Sequence, residues 1–187
     1  GYPASICASV NDVVVHGIPD ERVLNEGDIL SLDIGAILNE YNGDAAQTLP
    51  VGEISPLAQR LLQVTEESLY KGIAQAQVGN RLFDISHAVQ KHVEAHGFSV
   101  VRDFCGHGIG REMHESPNIP NYGQPGHGPR LKAGYCLAIE PMVNVGTYEV
   151  SVLEDDWTTV TDDGELSAHF EHSIAVTDDG PIILTAL

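Results

Sequence analysis

Two amphipathic helical patterns stand back to back in the middle of this 187-residue chain, with short apolar runs broken by turns on both sides of them. Ser55-Pro56 opens the first. A serine side chain caps the free N–H groups of a helix start, and proline at the first helical position gives up an N–H that has no partner there. Leu57, Leu61, Leu69 and Ile73 then recur on one face, which predicts a helix to about residue 76. The second pattern covers about 82–96, carries Ile85, Val89 and Val93 on one stripe, and stops at Gly97, a residue suited to the left-handed backbone that ends many helices.

Strand patterns frame this helical middle. Residues 29–37 are dense in Ile and Leu, a second run begins at Tyr41, and the turn-prone Asn39 between them predicts a β-hairpin. Beyond residue 98, strands are predicted at Val100-Val101, 136–145, 157–161, 167–176 and 182–185, separated by Asp-Gly and Gly-Pro turns. The stretch 106–134, rich in Gly, Pro, Asn and His, reads as a long functional loop. Strands before and after helices predict an α+β fold with a mostly antiparallel sheet, and the length fits a single domain, 1–187.

Composition narrows the function classes. Hydrophobic residues make up 42% and no 18-residue apolar run occurs, which predicts a water-soluble globular protein rather than a membrane-spanning one. Nine basic against 27 acidic residues give a formal charge of -18, which repels phosphate backbones and anionic lipid, so neither nucleic acid nor membrane is an expected partner. Cys7, Cys105 and Cys136 are odd in number and form no C-x-x-C pair, consistent with reduced thiols in a cytoplasmic compartment. Nothing around Gly1 reads as a signal peptide, and a segment upstream of it is expected.

Four acids look buried. Asp33 interrupts Leu30, Leu32 and Ile34, and a hairpin turning on Leu38 and Asn39 would set it directly opposite Asp44, with Cβ atoms about 4.5–5.5 Å apart. Like charges that close need a proton or a cation between them, and a hard divalent metal meets the need; the alternative is two edge or turn aspartates facing water. Glu140, in Leu137-Ala138-Ile139-Glu140-Pro141-Met142, and Glu171, ahead of Ser173-Ile174-Ala175-Val176, repeat the pattern in a chain with few cations to pair them. In Cys105-Gly106-His107-Gly108-Ile109-Gly110, glycines flank an imidazole and permit close approach to an ion. A phosphate loop fits poorly, lacking the G-x-G-x-x-G spacing and the lysine, and a purely structural glycine loop is the other alternative. Four carboxylates and one imidazole suffice for two divalent ions about 3.5–4 Å apart with a bridging water as nucleophile.

Gly1-Tyr2-Pro3 with Ser5 and Cys7, His16-Gly17-Ile18-Pro19, Asp33, Gly43-Asp44, the His107 segment, His114, Ile139-Glu140-Pro141-Met142, Trp157-Thr158 and Glu171-His172 occur in an order that resembles the type I methionine aminopeptidases, of the creatinase-like pita-bread fold, over essentially the whole chain. The resemblance implies a curved sheet covered by helices, and a hydrolase that removes initiator methionine. It implies five metal ligands: Asp44 and Glu171 bridging, Asp33 on one ion, and His107 and Glu140 on the other. Glu140 is implied as proton carrier, His114 near the scissile carbonyl, and His16 on the peptide backbone. Tyr2, Cys7 and Trp157 are implied in the methionine pocket, with ordinary core packing as their alternative. The implied ions are manganese, iron, cobalt or zinc. The implied partners are N-termini of nascent proteins and peptides, at the ribosome, met by a monomer. Met113 stands where the family often has an aromatic, and the family's upstream helical segment is absent before Gly1. The 33-residue spacing from His107 to Glu140 leaves no room for the type II insertion. The rival readings are a proline-specific peptidase of the same fold and a non-catalytic peptide-binding module.

Overall fold

The computed structural model describes residues 1–186. Its elements run β1 (Cys7–Val10), β2 (Val13–Val15), β3 (Ile29–Leu38), β4 (Tyr41–Pro50), α1 (Pro56–Ala74), α2 (Leu82–Ala95), β5 (Ser99–Val100), β6 (Cys105–Gly108), β7 (Glu115–Pro120), β8 (Cys136–Ile139), β9 (Met142–Asn144), β10 (Val150–Val152), β11 (Thr159–Thr161), β12 (Ser167–His169), β13 (Glu171–Thr177) and β14 (Gly180–Ile183). The main sheet has the order β1-β3-β4-β13-β8-β6-β7, with β14 also paired to β13. Two small sheets, β10-β11-β2 and β12-β9-β5, lie beside it. Every strand pair is antiparallel, as the α+β reading requires.

The β3–β4 hairpin turns on Asn39 and Glu40, not on Leu38 and Asn39. Both turn residues have positive φ, 51° and 69°, the two-residue geometry whose twist matches the flanking strands. Asparagine tolerates that backbone at the first turn position far better than leucine does. The register therefore pairs Asp33 with Ala46 and Gly35 with Asp44, so the two aspartates are diagonal rather than opposed. A shift of two residues leaves both on the same face, because side chains alternate with period two.

Ser55 caps α1 as expected, its Oγ accepting the Ala58 N–H at 3.1 Å. The helix ends at Ala74, two residues short of the expectation, and Leu57 is exposed rather than part of the buried stripe. Small residues take its place: Ala58, Ser68 and Gly72 are buried beside Leu61, Leu69 and Ile73. Gly72 sets the approach of the helices, since a Cβ there would stand 2.9 Å from Val89 Cγ2 on α2. Helix α2 buries Ile85, Val89 and Val93 and gives way at His96 to Gly97, whose φ is 83°. The paired helices cover one face of the main sheet, where Leu137, Ile139, Ile174 and Val176 join the same core. Each such aliphatic side chain, fully buried, contributes about 1.5–3 kcal/mol.

Two predicted strands are each broken in the middle. The run 136–145 is β8 and β9 with Glu140-Pro141 between them, and 167–176 is β12 and β13 with Phe170 between them. At the first break the chain passes from the main sheet to a small sheet and at the second it returns from that same small sheet to the main one, and the breaks are neighbours: Phe170 N–H donates to Pro141 O at 3.3 Å. The stretch 106–134 is not wholly loop, for it contains most of β6 and all of β7. Gly106 permits this pairing, because a Cβ there would run into the Ala138 carbonyl of β8. Trp157 precedes β11 instead of starting it, in a turn held by Asp155 Oδ1, which accepts from Trp157 N at 2.9 Å and Thr158 N at 2.7 Å. The three cysteines are free thiols, and no helix is long and apolar enough to cross a membrane.

Candidate metal centre

Five adjacent strands of the main sheet, β3, β4, β13, β8 and β6, each deliver one of the predicted ligands: Asp33, Asp44, Glu171, Glu140 and His107 respectively, Glu140 just past the end of β8. The register puts all five on one face. Ala46 faces Asp33 on one side and Glu171 on the other, and Ala138 faces His107 and Ser173. Alternation places Asp44, Glu140 and Glu171 in step with them. The opposite face carries the helices.

Asp44, His107 and Glu171 form the tightest group, with one ligand atom from each lying within 4.8 Å of the others, all buried. His107 Nε2 is 3.5 Å from Glu140 Oε1 and 4.0 Å from Asp44 Oδ2. Asp33 stands outside the tightest group and lines the adjoining cavities. The β4 ligand is fixed through its backbone: Asp44 N–H donates to Ser173 Oγ at 2.9 Å, and that hydroxyl donates to Asp44 O at 2.8 Å.

These groups are short of hydrogen-bond partners. Asp44 Oδ1 and Glu171 Oε1 are buried with none, although buried polar atoms are nearly always satisfied. His107 Nδ1 lies 2.8 Å from Gly108 O and donates to it, which leaves Nε2 turned toward the carboxylates. A ring nitrogen and several carboxylate oxygens converging on one point are held together by a cation or a proton between them. Burial pushes Glu140 up to about 8, with nearby His107 opposing the rise and Asp44 adding to it. Glu171 is held well above the usual carboxylate range by burial and then by Glu140, Asp44 and Asp33. Asp33 is pushed up to about 6, chiefly by burial, with His169 opposing and Asp44 and Glu140 adding. The donor set of carboxylates and one imidazole, crowded and under-partnered, fits a divalent cation.

Two cavities flank the cluster and share His16, Asp33 and His114. The larger, about 270 Å³, is walled by Tyr2, Cys7, Met113 and Trp157. Tyr2 and Trp157 meet edge to face at 5.3 Å, and burial pushes the Cys7 thiol up to about 11. Met113 Cε occupies the space above Gly35, where a Cβ would stand 2.5 Å away. The smaller cavity, about 210 Å³, is lined by Phe104, Cys105, Met142 and His169 among others. His16 has a φ of 59°, an unusual backbone for a side-chain-bearing residue. Its neighbour explains how it is held. Gly17 O accepts from Ala8 N and from Tyr2 Oη, both at 2.8 Å, and Gly17 N–H donates to Ser9 Oγ at 3.1 Å. The His16 ring stands edge-on to Phe104 at 5.5 Å and to Trp157 at 6.4 Å, and burial lowers its pKa. The His114 ring lies 4.5 Å from that of His107.

The structure thus gathers the ten predicted site residues, Asp33, Asp44, His107, Glu140, Glu171, His16, His114, Tyr2, Cys7 and Trp157, around one centre, and adds His169. That imidazole is 2% exposed, its Nε2 has no hydrogen-bond partner, and it lies 3.6 Å from Glu140 Oε2. The signal available in the sequence was its place two residues before Glu171, on the same side of an extended chain.

Residues 1–178 match the model of metallopeptidase family M24. A methionine aminopeptidase of Clostridium acetobutylicum is 60% identical over 186 residues, 99% of this chain and 74% of that protein. The crystal structure of methionine aminopeptidase from Rickettsia prowazekii superposes with a TM-score of 0.98 at 46% identity, over 100% of this chain and 75% of that one. The prolidase from Pyrococcus horikoshii shares the fold alone, with a TM-score of 0.78 at 20% identity over 98% of this chain and 48% of that one.

Proposed function

The chain belongs to metallopeptidase family M24, with the pita-bread fold of that family, and on that premise we propose that it is a type I methionine aminopeptidase, hydrolysing the first peptide bond of peptides and proteins that begin with methionine. The observation that carries the reading is the delivery of four carboxylates and one imidazole from five adjacent strands to one face of the sheet, with Asp44 Oδ1 and Glu171 Oε1 buried and unpartnered.

Asp33, Asp44, His107, Glu140 and Glu171 would hold two divalent ions, with manganese, iron, cobalt and zinc all compatible with such a donor set. When bound, the ions supply Lewis acidity toward a peptide carbonyl and lower the pKa of water toward neutrality. The chain's own groups do the rest. Glu140 takes the proton from the attacking water and passes it to the departing nitrogen. His114 donates to the scissile carbonyl, and His16, kept neutral by burial, hydrogen-bonds the peptide backbone. The cavity between Tyr2, Cys7 and Trp157 takes the methionine side chain, an unbranched thioether suited to an apolar slot edged with aromatics. Residues 1–187 act as one domain, a cytoplasmic monomer that meets nascent chains at the ribosome; the free thiols of Cys7, Cys105 and Cys136 are in keeping with that compartment.

Methionine release from a Met-Ala peptide with added manganese tests the proposal, alongside an Ala-Pro peptide and an Asp44→Asn variant. The expected outcome is release from the methionine peptide alone, strongly reduced in the variant. Equal release by wild type and variant overturns the ligand assignment, and preference for Ala-Pro overturns the substrate.

A further inference from the structure

His169 has no part in the reaction as proposed, and we infer that it is a positioning residue: its imidazole fixes the carboxylate of Glu140 in the orientation that binds metal. The inference rests on the reading of Glu140 as a ligand. Its ground is the way two backbone breaks meet. Glu140 lies where the chain leaves β8 for β9, and His169 lies where it leaves β12 for β13. His169 is paired with Met142 across the small sheet, and the Phe170–Pro141 hydrogen bond ties the two crossings together one residue further on.

The backbone of His169 is locked from the other side as well. Its N–H donates to Thr48 Oγ1 at 2.9 Å, and that hydroxyl donates to His169 O at 2.8 Å. The side chain is thereby delivered into the cavity with no freedom to withdraw to solvent. Two imidazoles then bracket one carboxylate, with His107 Nε2 3.5 Å from Oε1 and His169 Nε2 3.6 Å from Oε2. Glu140 O is held too, accepting from Asn121 Nδ2 at 2.9 Å. The gap at Oε2 is slightly longer than a formed hydrogen bond, and displacements of about 0.5 Å, ordinary for ordered side chains, close it. With its proton on Nε2, His169 donates to Oε2 and leaves Oε1 to the cation. An unpartnered nitrogen this deep is otherwise only destabilising, and a leucine would fill the space without that penalty.

The test compares His169→Leu, which keeps bulk but no donor, with His169→Gln, whose amide Nε2 reaches a comparable point. Calorimetric titration with Mn²⁺ and separate kcat and KM values for a Met-Ala peptide are the readouts. Removing a hydrogen-bond partner of a metal ligand lowers metal affinity or activity about 10–100-fold. His169→Leu should therefore lose that much in Mn²⁺ affinity and kcat while KM changes little. His169→Gln should recover most of both. His169→Asn, one carbon shorter, should behave like the leucine variant, and it serves if that variant folds poorly. Equal impairment of the glutamine and leucine variants overturns the proposal, as does a leucine variant that binds Mn²⁺ like wild type. The titration needs no peptide: a wild type that binds Mn²⁺ but releases no methionine overturns the peptidase reading alone, and one that binds none overturns both.

Discussion

Asp33 and Glu171 face the same residue, Ala46, from the strands on its two sides. Adjacent strands lie about 4.8 Å apart, so the two carboxylates look at each other across a single methyl group, and the smallness of that group leaves the room between them. Ala46→Val is expected to keep the strand, since β-branched residues suit it, while crowding the carboxylates. Mn²⁺ affinity should fall at least about 10-fold, in the range expected when the surroundings of metal ligands are disturbed. Titration of the folded variant checks this, and unchanged affinity would show that the gap does not matter.

Glu140 gives a pH signature to the metal-free chain. Burial raises its pKa from an ordinary 4.5 to about 8, so between these values the folded chain keeps a proton that the unfolded chain has released. Stability from this group is complete below pH 4.5 and is lost as pH rises through about 8. In the presence of a chelator, the melting temperature of wild type should therefore decline relative to Glu140→Gln across that window. Parallel melting curves for the two proteins from pH 4.5 to 8 would contradict the assignment of this shift to Glu140.

Gly35 and Met113 form a wall of the larger cavity. A Cβ at residue 35 would collide with the far end of a flexible methionine, 2.5 Å from its Cε, and would touch Asp44 Oδ1 at an ordinary contact distance of 3.8 Å, so Gly35→Ala should fold normally and push Met113 into the cavity. One intrusive methyl group in an apolar pocket changes discrimination by about 10-fold or more. The expected result is a rise of that order in KM for methionine peptides with Mn²⁺ affinity unchanged. A kinetic comparison of wild type and variant decides it.

Ser55 bears on stability alone. Its Oγ caps α1 by accepting the Ala58 N–H, and loss of such a cap costs about 1 kcal/mol. Ser55→Ala should melt about 2–4 °C lower with kcat and KM unchanged. A loss of activity at permissive temperature would mean that α1 influences the site.

What could be read in advance follows from how local each signal is. Ser55-Pro56 and Gly97 mark helix ends through their own backbone chemistry, and both helices were legible. The hairpin was legible but its turn was displaced by one residue, because only the handedness of residues 39 and 40 separates the two choices. Leu57 was misassigned because its periodicity ignored Ala58, Ser68 and Gly72, small residues buried by close helix packing. Strand β6 was hidden for a related reason. Cys105-Gly106-His107-Gly108 has no apolar alternation, and its extended form comes from being wedged between β7 and β8.

The candidate acids Asp33, Glu140 and Glu171 were legible because a carboxylate beside an apolar run is anomalous on its face. His169 was not, since an imidazole between Ala168 and Phe170 carries no comparable signal. Its relation to Glu140 exists only because two chain crossings far apart in sequence meet.

Strand β13 shows what kind of change the molecule tolerates. Glu171 and Ser173 point to the cluster, while Ile174 and Val176 lie in the core beneath the helices. Inserting or deleting one residue within this strand would turn the acid into the oil and the oil into the acid, ruining catalysis and cohesion in a single event. Variation in chain length is therefore confined to the turns, and the sheet can drift only by exchanging one side chain for another.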